Sequence, residues 1–165
     1  MTNPNNATIS TVHTAELTSG HALQIPTLRI LQDDGSLYPG AEAPQLDKTT
    51  ALKMYDSMQF IRILDERMLA AQRQGRISFY MQCLGEEAAT VGSAAALDDK
   101  NMIMAQYREQ GALRYRGFSL EQFMNQLFSN EKDLGKGRQM PVHYGSKDIY
   151  YMTISSPLGT QIPQA

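Results

Sequence analysis

Between Lys48 and Gln74 apolar residues recur at Ala51, Met54, Tyr55, Met58, Ile61, Leu64, Met68 and Ala71. Gaps of three and four residues place them on one stripe and predict a long helix. Asp47 suits its N-cap and Gly75 the position just past its end. On this reading Asp65-Glu66-Arg67 is the polar side of that helix. Ahead of it, residues 1–24 are rich in Thr, Asn, Ser and Ala and hold no period, which predicts a flexible arm. Ile25 to Leu31 is a short extended run closed by the turn Asp33-Asp34-Gly35-Ser36, and Tyr38 to Leu46 is a loop.

Beyond Gly75 the pattern changes twice. Ile77 to Tyr80 reads as an extended connector. Residues 85–97 predict a second helix with Glu86 and Glu87 in its first turn, where the helix dipole favours acids. Nearly every other residue there is small, and Gly92 costs helix stability, so the segment is expected to be deeply buried and closely approached. Asn101 to Ala105 is a short apolar strand or turn. Gln106 to Arg116 reads as a helix ending at Gly117. Ser119 and Gln122 form a capping box ahead of the apolar face Leu120, Phe123, Met124, Leu127 and Phe128. Asp133 to Gly145 is a glycine-punctuated loop, Tyr150 to Ile154 a weak strand, and Ser155 to Gln161 a polar turn.

Composition narrows the function classes. With 15 Lys+Arg against 17 Asp+Glu in 165 residues, the net charge of −2 offers no footprint for nucleic acid or an anionic membrane. Apolar runs of only a few residues span no bilayer. The single cysteine, Cys83, rules out an intrachain disulfide and reads as a buried, inert thiol. The first arginine is Arg29 and the first lysine Lys48. Without an Arg-rich transit peptide or a basic signal start, the expectation is a cytoplasmic, bacterial-type protein.

Three segments are candidates for chemistry. Gln106-Tyr107-Arg108 falls where an apolar run meets the start of a predicted helix, a place whose free N–H groups and dipole favour a phosphate. A phenol and a guanidinium add donors. The same residues also suit a surface ion pair through Arg108. The loop 134–145 interleaves glycines with Lys136 and Arg138 and could wrap an anion or a neighbouring subunit. Its His143 is either a base or relay, or a hydrogen-bonded structural histidine. Ser155 to Gln161 concentrates hydroxyl and carbonyl oxygens without a carboxylate. That composition suits a monovalent cation, or an ordinary turn that caps a helix.

Together these segments carry a resemblance. Residues 72–80 (QRQGRISFY), Gly85-Glu86-Glu87, 91–98 (VGSAAALD), Gln106-Tyr107-Arg108-Glu109, 133–145 (DLGKGRQMPVHYG) and Thr153-Ile154-Ser155-Ser156-Pro157-Leu158 closely resemble the alpha subunit of branched-chain 2-oxoacid dehydrogenase E1. The pyruvate dehydrogenase alpha chain is a more distant likeness. The resemblance runs from about residue 25 to 165. It implies an α/β architecture, here the helix-rich N-terminal portion of a thiamine diphosphate-binding domain without most of its parallel sheet. It implies thiamine diphosphate, Mg²⁺ and K⁺ as cofactors. The implied assembly is an α₂β₂ heterotetramer with an E1 beta subunit, serving the lipoyl domain of E2 with branched-chain 2-oxo acids as substrates.

By the same resemblance Tyr107 and Arg108 hold the diphosphate, with Gln106 beside them near the substrate. Ser156 lies at the catalytic centre, the Leu158 backbone meets the aminopyrimidine, and Phe79 lines the substrate pocket. Ser155, Pro157, Thr160 and Gln161 ligate K⁺. The family's Mg²⁺-binding segment does not occur in this sequence, so these residues alone are expected to be inactive. The competing expectations are a non-catalytic interaction module and a pyruvate- or acetoin-type E1 alpha chain.

Overall fold

The computed structural model describes residue 20 and residues 28–165. The expected arm over residues 1–24 therefore lies outside the described residues apart from Gly20, as do Ile25, Pro26 and Thr27. The described chain divides into two units, one ending at Gln45 and the other spanning Leu46–Ala165.

In the first unit the chain turns back over Asp33 to Ser36, where the sequence places the turn. Leu31 and Leu37 form an antiparallel bridge, and Asp34 Oδ1 accepts from both the N–H and the hydroxyl of Ser36. Gly35, at φ +84°, takes the left-handed position the turn requires.

The second unit is built on α1 (Lys48–Arg73), α2 (Glu87–Ala95), α3 (Gln110–Tyr115), α4 (Leu120–Leu127) and the short α5 (Gln161–Gln164). Asp47 caps α1 through the N–H groups of Thr49 and Thr50. Gly75, at φ +71°, lets Arg76 N–H reach back to the Ala71 carbonyl and close the helix end. The Ser119–Gln122 capping box forms in both directions. Ile61 and Leu64 of α1, Val91 of α2, Leu113 of α3 and Phe123 of α4 share one buried core. Phe123 meets Phe118 and Tyr144 edge to face, with centroids 4.9 Å and 5.0 Å apart, an arrangement that adds to area burial alone.

Asp65 corrects the reading of α1. It is not on the polar side but is 2 % exposed, and it collects Tyr80 Oη at 2.6 Å, Cys83 N–H at 2.7 Å and the Cys83 thiol at 3.3 Å. Gln110 Nε2 approaches at 3.4 Å. Four residues after Ile61 and three before Met68, Asp65 belongs to the buried stripe by helical geometry. Its charge is affordable there because donors surround it.

Two expectations for the second helix also change. Of its residues only Val91 and Ala94 are buried, and a Cβ on Gly92 would meet nothing within 4 Å. The close approach is made instead by Gly111 of α3, where a Cβ would run into Thr90 Oγ1 and stand 3.2 Å from Val91 Cγ2. The small outer face of α2 borders an open cavity of about 360 Å³ that also touches Ile103, Glu109 and Ala112.

Among the described residues there is no strand, so the expected α/β architecture stands only in its helix-rich part. Within the second unit, sheet pairing is limited to two isolated bridges on Tyr151, parallel to Ile103 and antiparallel to Ser146. Ile154 N–H adds a bond to the Tyr144 carbonyl. Gly145 sits where a Cβ would stand 2.7 Å from Thr153 Cα, so this pairing needs glycine. These bridges bring residues 103–107, 143–146 and 151–156 side by side.

Candidate active site

The helix expected over Gln106–Arg116 begins only at Gln110. Residues 106–109 form a turn, because the Glu109 carboxylate takes the Gln106 N–H at 2.8 Å and Arg108 adopts φ +72°. A phosphate site on the first turn of that helix is therefore not what the chain builds. Burial, with the Glu86 carboxylate adding to it, holds the Glu109 carboxyl above the ordinary carboxylate range, although its bond from Gln106 N–H works the other way.

The turn instead aims Gln106 and Tyr107 at residues nearly fifty positions later. Gln106 Nε2 donates to the Ser156 carbonyl at 3.1 Å. Tyr107 Oη lies 2.5 Å from Ser156 Oγ and 2.8 Å from His143 Nε2. His143 Nε2 lies 2.6 Å from Ser156 Oγ, closing a triangle. The tyrosine and histidine rings meet edge to face at 5.2 Å. His143 is 7 % exposed, while Ser156 opens to solvent. The Gln106 Oε1 atom is buried without a partner, an acceptor left for a donor from outside the described residues.

Phe79 joins this group through Tyr107, with ring centroids 5.9 Å apart. It sits at the start of a segment pinned three times: Gln110 Nε2 donates to Met81 O, Arg108 Nη1 to Gln82 O, and Cys83 N–H to Asp65. Arg108 thus gives a donor to Gln82 and makes no hydrogen bond to either of Tyr107's partners, His143 and Ser156, while the residue is exposed. Leu158 is 88 % exposed and joins nothing. In the turn that follows, Ser155 Oγ donates to Thr160 Oγ1 at 3.2 Å and Thr160 Oγ1 to the Pro157 carbonyl at 2.9 Å. Gln161 stands apart, its Nε2 bound to the Ala105 carbonyl at 3.0 Å.

Cys83 is fully buried, and burial together with the Asp65 carboxylate pushes its thiol up. That agrees with an inert thiol. The coupling of His143 to Tyr107 and Ser156 was legible in no single segment. Each residue stood among plausible functional groups, but only the bridges on Tyr151 align them.

Residues 55–165 match the dehydrogenase E1 component family, and the chain belongs to it. Membership implies dependence on thiamine diphosphate. Over 141 residues, 86 % of this chain, it is 53 % identical to the human protein named 2-oxoisovalerate dehydrogenase subunit alpha, mitochondrial, covering 32 % of that protein. The Caenorhabditis elegans protein of that name is 50 % identical over 141 residues, and the Arabidopsis thaliana subunit alpha 1 is 49 % identical over 142 residues. In each case 86 % of this chain is matched, with 33 % and 30 % of the relatives covered. The chain spans about a third of the length of these curated relatives. All three carry mitochondrial names, which points to a mitochondrial-type subunit and overturns the expectation of a cytoplasmic, bacterial-type protein.

Proposed function

We propose that the whole protein is the alpha subunit of a branched-chain 2-oxoacid dehydrogenase E1 component, acting on 3-methyl-2-oxobutanoate and related branched-chain 2-oxo acids. These residues are the N-terminal part of its thiamine diphosphate-binding α/β domain. The observation that carries this reading is the meeting of Tyr107 and Gln106 with Ser156, the two motifs whose partnership the family resemblance requires. It is supported by about 50 % identity, over 86 % of this chain, to subunits named for 2-oxoisovalerate.

The residues fit the cofactor in kind. A diphosphate takes hydroxyl and guanidinium donors, supplied by Tyr107 and by the outward nitrogens of Arg108. The unpartnered Gln106 Oε1 is an acceptor beside them. When bound, thiamine diphosphate supplies a nucleophilic carbon and an electron sink for loss of CO₂. Around it Ser156 offers a hydroxyl at the reacting end, the Leu158 backbone holds the aminopyrimidine, and Phe79 gives an apolar wall for a branched side chain. Ser155, Pro157, Thr160 and Gln161 hold K⁺ and stiffen the turn that carries Ser156, a role in keeping with three of their oxygens already gathered. Mg²⁺ is held by residues outside this sequence. The partners are an E1 beta subunit in an α₂β₂ heterotetramer and the lipoyl domain of E2, whose dithiolane is reduced as it accepts the acyl group.

The test uses the full-length alpha chain assembled with its beta partner. Decarboxylation of 3-methyl-2-oxobutanoate should exceed that of pyruvate and require added thiamine diphosphate. Equal or greater turnover of pyruvate would refute the substrate assignment, and cofactor-independent turnover the whole reading.

A further inference from the structure

We infer that Glu109 is a positioning residue: its carboxylate closes the turn that aims Tyr107 at Ser156, and so sets the diphosphate end of the site. This rests on the functional reading above and adds to it a residue to which that reading gives no role.

The turn over residues 106–109 lacks an ordinary closure. Among the described residues no hydrogen bond between backbone groups spans it. What crosses it is the Gln106 N–H, donated to Glu109 Oε2 at 2.8 Å. Inside the ring so formed Arg108 stands at φ +72°, a left-handed conformation that an L side chain adopts only when its surroundings hold it there. The result is a divergence between neighbours: Tyr107 reaches Ser156 and His143, while Arg108 reaches Gln82.

What lies on either side of the turn is fixed without it. Gln110, 1 % exposed, donates to the Met81 carbonyl at 3.1 Å, and Gly111 has no room for a methyl beside Thr90. Across the site Gln126, buried on α4, donates its Nε2 to the Met140 carbonyl at 2.7 Å and accepts the Val142 N–H on Oε1 at 3.0 Å. This clamp holds the loop that carries His143. Neither α3 nor the loop can swing to follow a loosened turn, so slack at Gln106 falls on the Tyr107 phenol.

Glu109 has no second task in view. Among the described residues it forms no ion pair, and its carboxylate accepts only this one hydrogen bond. It is half-buried and borders the same cavity as the Glu86 carboxylate. A carboxyl kept there without a cation works against stability, so its use lies in the one bond it makes.

The test uses the full-length chain with its beta partner. Glu109→Gln keeps the reach and an acceptor oxygen but removes the charge. Glu109→Asp keeps the charge but draws the oxygens back by one methylene. Thiamine diphosphate with Mg²⁺ is titrated into each by calorimetry. The Gln variant should bind within about twofold of wild type and the Asp variant about tenfold more weakly, the worth of one charge-assisted hydrogen bond. In the cofactor-free assembly, hydrogen exchange in the peptide covering residues 104–110 should quicken in the Asp variant alone. An Asp variant that binds like wild type overturns the inference, and so does a Gln variant as weak as the Asp one, since reach is then not what counts. Unchanged exchange in the Asp variant overturns it as well. Should the Asp variant fail to assemble, the Gln variant decides: affinity near wild type supports the inference and a tenfold loss overturns it. All of these outcomes leave the functional reading standing, provided the wild type binds. A wild-type assembly that binds no thiamine diphosphate defeats that reading and the inference together.

Discussion

The Asp65 carboxylate accepts the backbone N–H of Cys83 at 2.7 Å, eighteen residues further along the chain. With Tyr80 on its other oxygen, it anchors the segment that carries Phe79 to the middle of α1. Replacing Asp65 with Ala strands a hydroxyl and an N–H without a partner inside the core. The full-length chain should lose about 2–4 kcal/mol in denaturant unfolding. Asp65→Asn, which keeps one acceptor oxygen, should lose less.

Gly92 and Gly111 should respond in opposite ways to alanine. Gly111→Ala drives a methyl into Thr90 and should cost about 1–3 kcal/mol through overpacking. Gly92 has a helical backbone and open space around it, so Gly92→Ala should stabilise α2 by about 0.5–1 kcal/mol. Thermal melting of the two variants checks both signs at once.

Cys83 should resist thiol reagents in the folded protein. It is fully buried, and burial with the adjacent Asp65 carboxylate disfavours its thiolate. Labelling with an aromatic disulfide should run to completion only after denaturation. Fast labelling of the native chain would contradict the burial described above.

Glu109 sets an expected pH dependence. Its carboxyl is raised above the ordinary value of 4.5, chiefly by burial, so the folded state favours the protonated form. Its contribution to stability is fully present below that ordinary value and is lost as pH rises through the raised one. Glu109→Gln removes the penalty of ionisation while keeping an oxygen for the Gln106 N–H. The variant should therefore gain on the wild type in melting near pH 7, and the gain should close near pH 4.

Ser156 is the hydroxyl that Tyr107 and His143 share. On the function proposed above, which sets Ser156 at the reacting end of the site, Ser156→Ala should lower the turnover of the assembled enzyme about 10- to 100-fold. Melting should stay close to wild type, since the side chain is solvent-exposed. Unchanged turnover would place the serine outside the chemistry.

Much of the local structure was legible from the chain itself. The α1 helix, the Asp47 cap, the Gly75 stop and the Ser119–Gln122 box depend on residues within a turn of one another, and all four form as their spacing implies, although Tyr55 of the α1 stripe is exposed. Local patterning also failed where a distant partner intervened. Asp65 looks like a surface acid until Tyr80 and Cys83 arrive. The start of α3 moves to Gln110 because the Glu109 side chain takes a backbone N–H that a longer helix would have used.

The sequence by itself determined which residue types were on hand for phosphate, hydroxyl and cation chemistry, because motifs are contiguous and their composition needs no partner. Only the tertiary structure decided that Tyr107 faces Ser156 and His143 while Arg108 turns to Gln82. That choice depends on the bridges at Tyr151, the glycine contact at Thr153 and the Gln126 clamp, all made between segments far apart in the chain. Hydrogen bonds of this kind form only once the helices have closed the core, and no spacing along the chain encodes their direction.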